Sequence, residues 1–560
     1  MINLHKTNLI DKISNNYYNI IKGVIKMSKL FKRLFGLTFA IGSFVVLSSC
    51  NKETPKAETP PAETSTSAEA SKQKFKVTFD TDGGSNIKEQ EVVDGAKATK
   101  PNNPTMTNAE FLDWYNGDNV YSFDSEVKSN LTLKAKWQKY TYVNQTFGLT
   151  GAPSSTKVYF KDSYVNDVST KFNKDLAVFS YGCALASENK DVATKFFNDL
   201  GFDKISYYGS TVEDYEGICY SFAHKKINDT DLVIVSPRGV GYSTEWAGNF
   251  DLGVTGNHKD YDECATKILN KLKTYIDTNK ETSNLKILLT GYSRGGGVSN
   301  VLSYKLMNLE NKLTDVNNLY SYTFGTPKGV LKQENINYSN VFNIINSADI
   351  ITHLAPDSYG FTRCGIDIDI YENDPDTIIK NYNSKYELPK FSPMSGSFTK
   401  ETEVPVYILS KLTGYETTDT EQAKYTLKNR EEFVQNYQGT LSFVLETYFK
   451  MNILTKAKII ARVGEMAKES MWNLLSLISS GENLYNFLKP FLQEDKGEAY
   501  TTEYDQKLLA ACNTLIGLVQ GAGASLLVFA MDPYKDVIMR SVYMHTTATY
   551  YILLNAYKAN

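Results

Sequence analysis

The sequence predicts an α/β fold with a mostly parallel sheet and a large helical insertion, preceded by a small β module. Three observations lead there. Between about residues 170 and 365, short apolar runs (Leu232–Ser236, Leu285–Thr290, Leu319–Phe324, Val341–Ile345) alternate with amphipathic stretches. That is the pattern of buried parallel strands and their crossover helices. Residues 366–530 carry mostly helical periodicity. Residues 75–137 alternate apolar and polar side chains around glycine turns, as half-buried strands do.

Composition narrows the function classes. The 560 residues allow two to four domains at roughly 100–200 residues each. Apolar residues are 42%, enough for a large core. Basic residues number 60 against 63 acidic, a net charge of −3, so the basic excess of a nucleic-acid binder is missing. With 35 Gly and 15 Pro, neither collagen nor global disorder fits. Only His5, His224, His258, His353 and His545 can supply an imidazole. Beyond Cys50, the cysteines are Cys183, Cys219, Cys264, Cys364 and Cys512, irregularly spaced and without a C-x-x-C pair. Neither a zinc site nor a disulfide framework follows, and most are expected to be buried thiols.

Residues 1–50 read as an upstream extension and an address. Lys29, Lys32 and Arg33 precede an apolar run from Leu34 to Ser49, roughly 16 residues where a spanning helix needs ~20. The run ends Leu47-Ser48-Ser49-Cys50 and resembles a bacterial lipobox. That resemblance implies a lipid on Cys50 and a chain anchored on the extracellular face of the bacterial cell membrane. Met27 suits such a signal peptide better as a start than Met1. Residues 51–74, rich in Pro, Thr, Ser, Ala and Glu with no large apolar side chain, read as a disordered tether.

Residues 75–138 form the β module. Phe75, Val77 and Phe79 alternate with polar residues, Asp82-Gly83-Gly84 is a turn, Glu89–Gly95 holds a second strand, and Leu131, Leu133 and Trp137 share one face of a last strand. The framework VTFDTDGG…FLDWY…LTLKAKW resembles the Listeria–Bacteroides repeat, a β-grasp-like module of bacterial surface proteins. The aromatic-Gly-Trp-Tyr step of that family is Leu112-Asp113-Trp114-Tyr115 here. A spacer and a module contacting a cell-wall or surface ligand both fit.

The chemistry falls in residues 139–560. Leu285–Thr290 is followed by Gly291-Tyr292-Ser293-Arg294-Gly295 and then by helical spacing at Val298, Val301, Leu302 and Leu306. A serine on so tight a strand-to-helix turn stands exposed with strained dihedrals, and a side chain at either glycine would collide with a neighbouring element. The turn also aims the Arg294 amide and the helix dipole at one point, where an oxyanion can form.

Flanking segments add to this. Leu232–Ser236 runs into Pro237-Arg238-Gly239-Val240, then Trp246 and Asn249; His258 opens an amphipathic stretch; Gly325-Thr326-Pro327 follows one strand and Asn346–Asp349 another. The order resembles the class 3 (fungal-type) lipases, which are α/β-hydrolases. The resemblance implies Ser293 as nucleophile, Asp349 as the acid that orients the base, and the backbone amides of Val240 and Arg294 as oxyanion donors. The family usually has Thr or Ser where this chain has Val240. His258 matches a structural histidine of the family.

For the base, His224 lies in a strand-like segment and His353 sits on the same loop as Asp349, whereas such a carboxylate usually reaches its partner from another loop. His545 completes the chain order Ser293…Asp349…His545 found in α/β-hydrolases. It precedes a closing helix expected over Thr549–Ala559.

The stretch between Asp349 and His545 is far longer than a core hydrolase needs. Residues 366–530 are therefore read as a helical insertion acting as cap or lid, with helices over Tyr425–Leu454, Lys456–Ser479, Asn483–Leu492 and Asp505–Met531. Leu508–Met531 lacks charge over a length that would span a bilayer. A span would separate Ser293 from His545, so a buried or lid helix is expected. Ile366–Asp374 holds four acids but alternates like an edge strand over Ile366–Ile370.

The expectation is a surface-tethered serine ester hydrolase of lipase or esterase type, acting on an ester or lipid through an acyl-enzyme, with no metal or cofactor implied and no nucleic-acid partner. A non-catalytic adhesion or scaffold lipoprotein on a hydrolase fold is the alternative, as is another acyl class (thioesterase, peptidase).

Overall fold

The computed structural model describes residues 73–558 apart from 147–152, 212–216, 240–244, 356, 385, 387, 393–397, 414–429, 471–472, 474–475, 478 and 522–533. Cys50, expected to be lipidated, and residues 51–72 of the expected tether lie outside the described residues, as does Val240, whereas Lys74 at the expected tether's end is the first residue of a strand.

The N-terminal module is built from β1 (Lys74–Asp80), β2 (Gln90–Val93), β3 (Ala109–Asn116), β4 (Asn119–Val120) and β5 (Leu131–Thr146) in the order β2-β1-β5-β3-β4. β1 and β5 run parallel, and the other pairs are antiparallel. Val77, Phe79, Trp114, Leu133 and Ala135 form its core, at the alternate positions that strand patterning requires. β5 does not stop at residue 138. Its second half, Tyr140–Thr146, pairs antiparallel with β6 (Pro153–Tyr159), and Val143 and Val158 join the core of the following domain.

That domain is centred on a seven-stranded sheet of order β15-β13-β11-β10-β9-β8-β7. The strands are β7 (Asp203–Tyr208), β8 (Tyr220–Ile227), β9 (Thr230–Pro237), β10 (Asn284–Tyr292), β11 (Leu319–Phe324), β13 (Val341–Ile345) and β15 (Ile366–Asp369); β12 (Val330–Leu331) and β14 (Phe361–Thr362) form a separate pair. From β9 through β15 all pairings in the sheet are parallel, while β7 and β8 add antiparallel at one edge. Leu232, Ile234 and Leu288 face one core with helix Lys174–Ala186; Val233, Val235, Ile287 and Leu289 face another with helices Lys259–Asn279 and Arg294–Met307. Burial on both faces is why these strands read as unbroken apolar runs. β15, with its two aspartates exposed, is the sheet's edge strand.

The insertion contains helices Val404–Thr413, Arg430–Phe433, Gly439–Lys450, Ile453–Glu469, Gly481–Lys496 and Thr502–Gly521, and Tyr534–Tyr543 leads back to His545. A π-helical turn, Val434–Gln438, joins the second to the third. The insertion has its own core, in which Leu508, Ala511, Cys512 and Ile516 are buried while Leu509 is exposed, an amphipathic helix face. Among the described residues, no helix is long and apolar enough to cross a membrane. Cys183, Cys219, Cys264, Cys364 and Cys512 are all buried free thiols. The closing helix is Thr547–Ala556, and its Tyr550, Leu553 and Leu554 return to the core against helix Lys174–Ala186.

Candidate active site

Ser293 stands between the end of β10 and helix Arg294–Met307 with φ 55° and ψ −124°. That is a left-handed backbone in a non-glycine residue, a strain that must be held by its surroundings. They hold it closely. A Cβ on Gly291 would strike the carbonyl group of Gly295, one on Gly295 would lie 2.5 Å from the Pro237 carbonyl oxygen, and one on Gly239 would overlap the Tyr292 carbonyl. Strand ends, elbow and helix pack here at glycine distance only.

The structure brings the three sequence-chosen residues together. His545 Nε2 lies 2.8 Å from Ser293 Oγ, and His545 Nδ1 lies 2.6 Å from Asp349 Oδ2. Asp349 follows β13, is fully buried, and accepts the Ile351 amide on Oδ1 at 2.8 Å. Its Oδ2 also accepts the Tyr550 hydroxyl at 2.8 Å. The Tyr292 ring stacks on the His545 ring at 4.9 Å and 16°, and its hydroxyl donates to the His545 carbonyl. Gly325, at φ 54°, passes so near His545 that a Cβ there would come within 2.9 Å of Cε1.

Tyr292, Gly325 and Tyr550 thus hold the imidazole and its acid, and sequence reasoning gave none of them this role. Gly325 carried a signal, the Gly-Thr-Pro step, and Tyr292 lies inside the elbow. Tyr550 had only its helical position one turn and a half after His545.

The oxyanion side is partly described. Arg294 opens its helix, where backbone amides have no intrahelical acceptor. Its side chain turns away from the serine, 1% exposed, to pair with Asp260 at 2.5 Å and to donate to Asn249 Oδ1 at 3.3 Å and the Gly217 carbonyl at 3.1 Å. Arg238, just before Gly239, donates to the buried Glu245 at 2.7 Å.

The other histidines are placed elsewhere. His258 is buried, stacks on Tyr261 at 3.8 Å, and donates from Nε2 to the Asn249 carbonyl; burial lowers its pKa to about 3. It is the packing residue at the helix entry that the sequence suggested. His353 bonds the Ser347 carbonyl, and burial lowers its pKa too. His224 sits on β8 between Asp203 and Asp231, at 2.5 and 2.7 Å.

Two family models match separate parts of the chain. Residues 75–136 match the Listeria-Bacteroides repeat domain family, and residues 236–359 match the Lipase (class 3) family. A curated relative is a lipase of Rhizomucor miehei, 29% identical over 129 residues, which are 22% of this chain and 34% of that protein. The chain thus spans about a third of that relative. Among solved structures, it is similar to a fungal lipase in complex with an inhibitor, described as a model for interfacial activation (21% identity, 38% of this chain and 80% of that one, TM-score 0.29). It is also similar to a triacylglycerol lipase whose catalytic centre is a serine protease triad (21%, 38% and 81%, TM-score 0.28) and to lipase II from Rhizopus niveus (17%, 35% and 78%, TM-score 0.27).

Proposed function

We propose that the chain is a lipase-type serine ester hydrolase. The observation that carries this is the relay Ser293 Oγ–His545 Nε2 at 2.8 Å and His545 Nδ1–Asp349 Oδ2 at 2.6 Å, built on a strained elbow. Ser293 attacks the acyl carbon while His545 takes its proton. The oxyanion of the tetrahedral intermediate is met by the Arg294 amide and the Val240 amide. Collapse passes the proton from His545 to the leaving alcohol and leaves an acyl-serine. Water then repeats the sequence and releases the acid. Asp349 keeps the imidazole in one tautomer and stabilises the imidazolium. The lipase family match supports a carboxylic ester of a lipid as substrate.

In this reading, the lipid on Cys50 tethers the enzyme to the extracellular face of the cell membrane, and residues 75–138 act as a spacer or contact a surface ligand. The support is the lipobox-like sequence and the repeat match.

A fluorophosphonate probe and a p-nitrophenyl ester test the chemistry. Wild type should be labelled at Ser293 and turn over the ester; Ser293→Ala and His545→Gln should lose labelling and about 10⁴-fold or more in kcat. Labelling at another serine, or none, rejects the reading. Mass analysis of the N-terminal peptide tests the tether, which an unmodified Cys50 would rule out.

A further inference from the structure

The insertion between Asp349 and His545 reaches the segment 251–257, which precedes Ser293 in the chain. Arg430, at the start of its helix, is 7% exposed and puts its guanidinium into a ring of main-chain carbonyls. Nη1 donates to Gly256 at 2.8 Å, Nη2 donates to Leu252, Thr255 and Asn257 at 2.6, 3.0 and 3.1 Å, and Nε donates to Gly253. The Phe361 ring lies 4.3 Å beneath. The loop turns its carbonyls inward through Gly253 and Gly256, at φ 63° and 70°.

Two further ties follow on the same helical segment. In the π-helical turn, Gln438 donates to Asp251 Oδ1 at 2.6 Å and accepts the Leu252 amide at 3.2 Å. Phe433 and Val434 pack against the cluster of Leu252, Tyr359 and Phe361. Such π turns are rare and frequently mark functional sites.

The clamped loop continues a segment that touches the nucleophile elbow. Asn249 accepts His258 Nε2 on its carbonyl at 3.1 Å, and on its side-chain oxygen the Tyr261 hydroxyl at 3.2 Å and Arg294 Nη1 at 3.3 Å. Arg294 directly follows Ser293. The segment from Gly239 to His258 therefore starts beside the elbow and ends in a cage closed by the insertion.

We propose that Arg430 is a positioning residue for acyl transfer, acting through the 249–257 loop on Arg294 and the oxyanion side of the site. This rests on the hydrolase reading. With the cation removed, five inward carbonyls lose their shared donor, and although that of Leu252 keeps the Lys259 amide at 3.1 Å, the loop relaxes because carbonyls held together without a donor between them turn out toward water. A lysine cannot replace it, since one ammonium offers three donors from a point where the guanidinium spreads five over a plane.

The test uses the full chain as wild type, Arg430→Ala and Arg430→Lys, with ester turnover read as kcat and KM and with amide hydrogen exchange over Asn249–Asn257. Arg430→Ala should lower kcat by about tenfold or more with KM within about twofold, as small displacements of catalytic groups do. It should also speed exchange in that loop. Guanidinium chloride, too dilute to unfold the protein, should restore both by refilling the cage; Arg430→Lys should recover only part. Wild-type kcat in Arg430→Ala overturns the proposal. So does a loss that guanidinium leaves unrepaired in a variant melting like wild type. If Arg430→Ala does not fold, Gln438→Ala decides: lowered kcat with faster loop exchange supports the clamp, and wild-type behaviour overturns it. Should wild type itself be inactive and unlabelled, the hydrolase reading fails, while exchange and its reversal by guanidinium still judge whether Arg430 fixes the loop.

Discussion

The Tyr550 hydroxyl donates to Oδ2 of Asp349 at 2.8 Å, and that same oxygen receives Nδ1–H of His545 at 2.6 Å. One turn and one helix start, His545 to Ala556, therefore supply both the base and a second donor to its acid. Burial, with the neighbouring Asp349 carboxylate, pushes the Tyr550 phenol well above its ordinary range, so it stays a donor wherever the site works. Tyr550→Phe should keep the fold and lower kcat by about tenfold, the value of one hydrogen bond to a charged group. Turnover of a p-nitrophenyl ester beside a thermal melt checks this; an unchanged kcat would show that the bond does nothing for the base.

Ser293 stores strain at φ 55° and ψ −124°. Glycine adopts that region readily. Ser293→Gly should therefore melt at a higher temperature than wild type, with up to about 1–3 kcal/mol of backbone strain relieved, while losing fluorophosphonate labelling. A lowered Tm would mean that the Ser293–His545 hydrogen bond outweighs the strain.

Gly325 touches the imidazole. A methyl there would press on His545 Cε1 from 2.9 Å while forcing an alanine to φ 54°. Gly325→Ala should cut kcat by about 10²-fold through displacement of the ring, with KM little altered. Steady-state kinetics on the purified variant, with circular dichroism to check the fold, reads this directly.

His258 links stability to acidity. Burial lowers its pKa to about 3, against ~6.5 for an exposed imidazole. Between those values, the unfolded chain binds one proton more than the folded one. This contribution is complete above pH ~6.5 and is lost as pH falls toward 3, at roughly 1.4 kcal/mol per unit. His258→Phe keeps a ring for Tyr261 to stack on but cannot titrate. Its denaturation midpoint should fall less steeply than wild type's between pH 6 and pH 4; parallel curves would reject the assignment.

The elbow was legible because steric necessity leaves a local mark: Gly239, Gly291 and Gly295 are glycines because a Cβ at each meets backbone. The base was legible by chain order and by the scarcity of imidazoles, five in the chain. Periodicity found some helices of the insertion and not others: Asn483–Leu492 was expected and Gly481–Lys496 is observed, but the helix expected over Lys456–Ser479 is Ile453–Glu469, a π turn interrupts the one expected over Tyr425–Leu454, and Val404–Thr413 was not expected. Tyr550 and Arg430 were not legible in these roles. Their partners lie 201 and about 175 residues away in the chain, and neither a tyrosine among 38 nor an arginine at a helix start carries a local sign of such a contact. Reading the insertion as a lid anticipated helices there but not that one of them pins the loop beyond Asn249 through five carbonyls.

Since the strand Leu131–Thr146 pairs with β1 and β3 of the front module and, further along, with β6, that module and the following domain are joined as by a shared rafter rather than threaded on string. A cut after Lys139 would fall where the two halves of this strand meet, with Lys134–Lys139 staying beside β3 and Tyr140–Thr146 beside β6. The module's orientation toward the domain that carries Ser293 is thus transmitted along one pleat, so a surface held by the module would also set the heading of that serine.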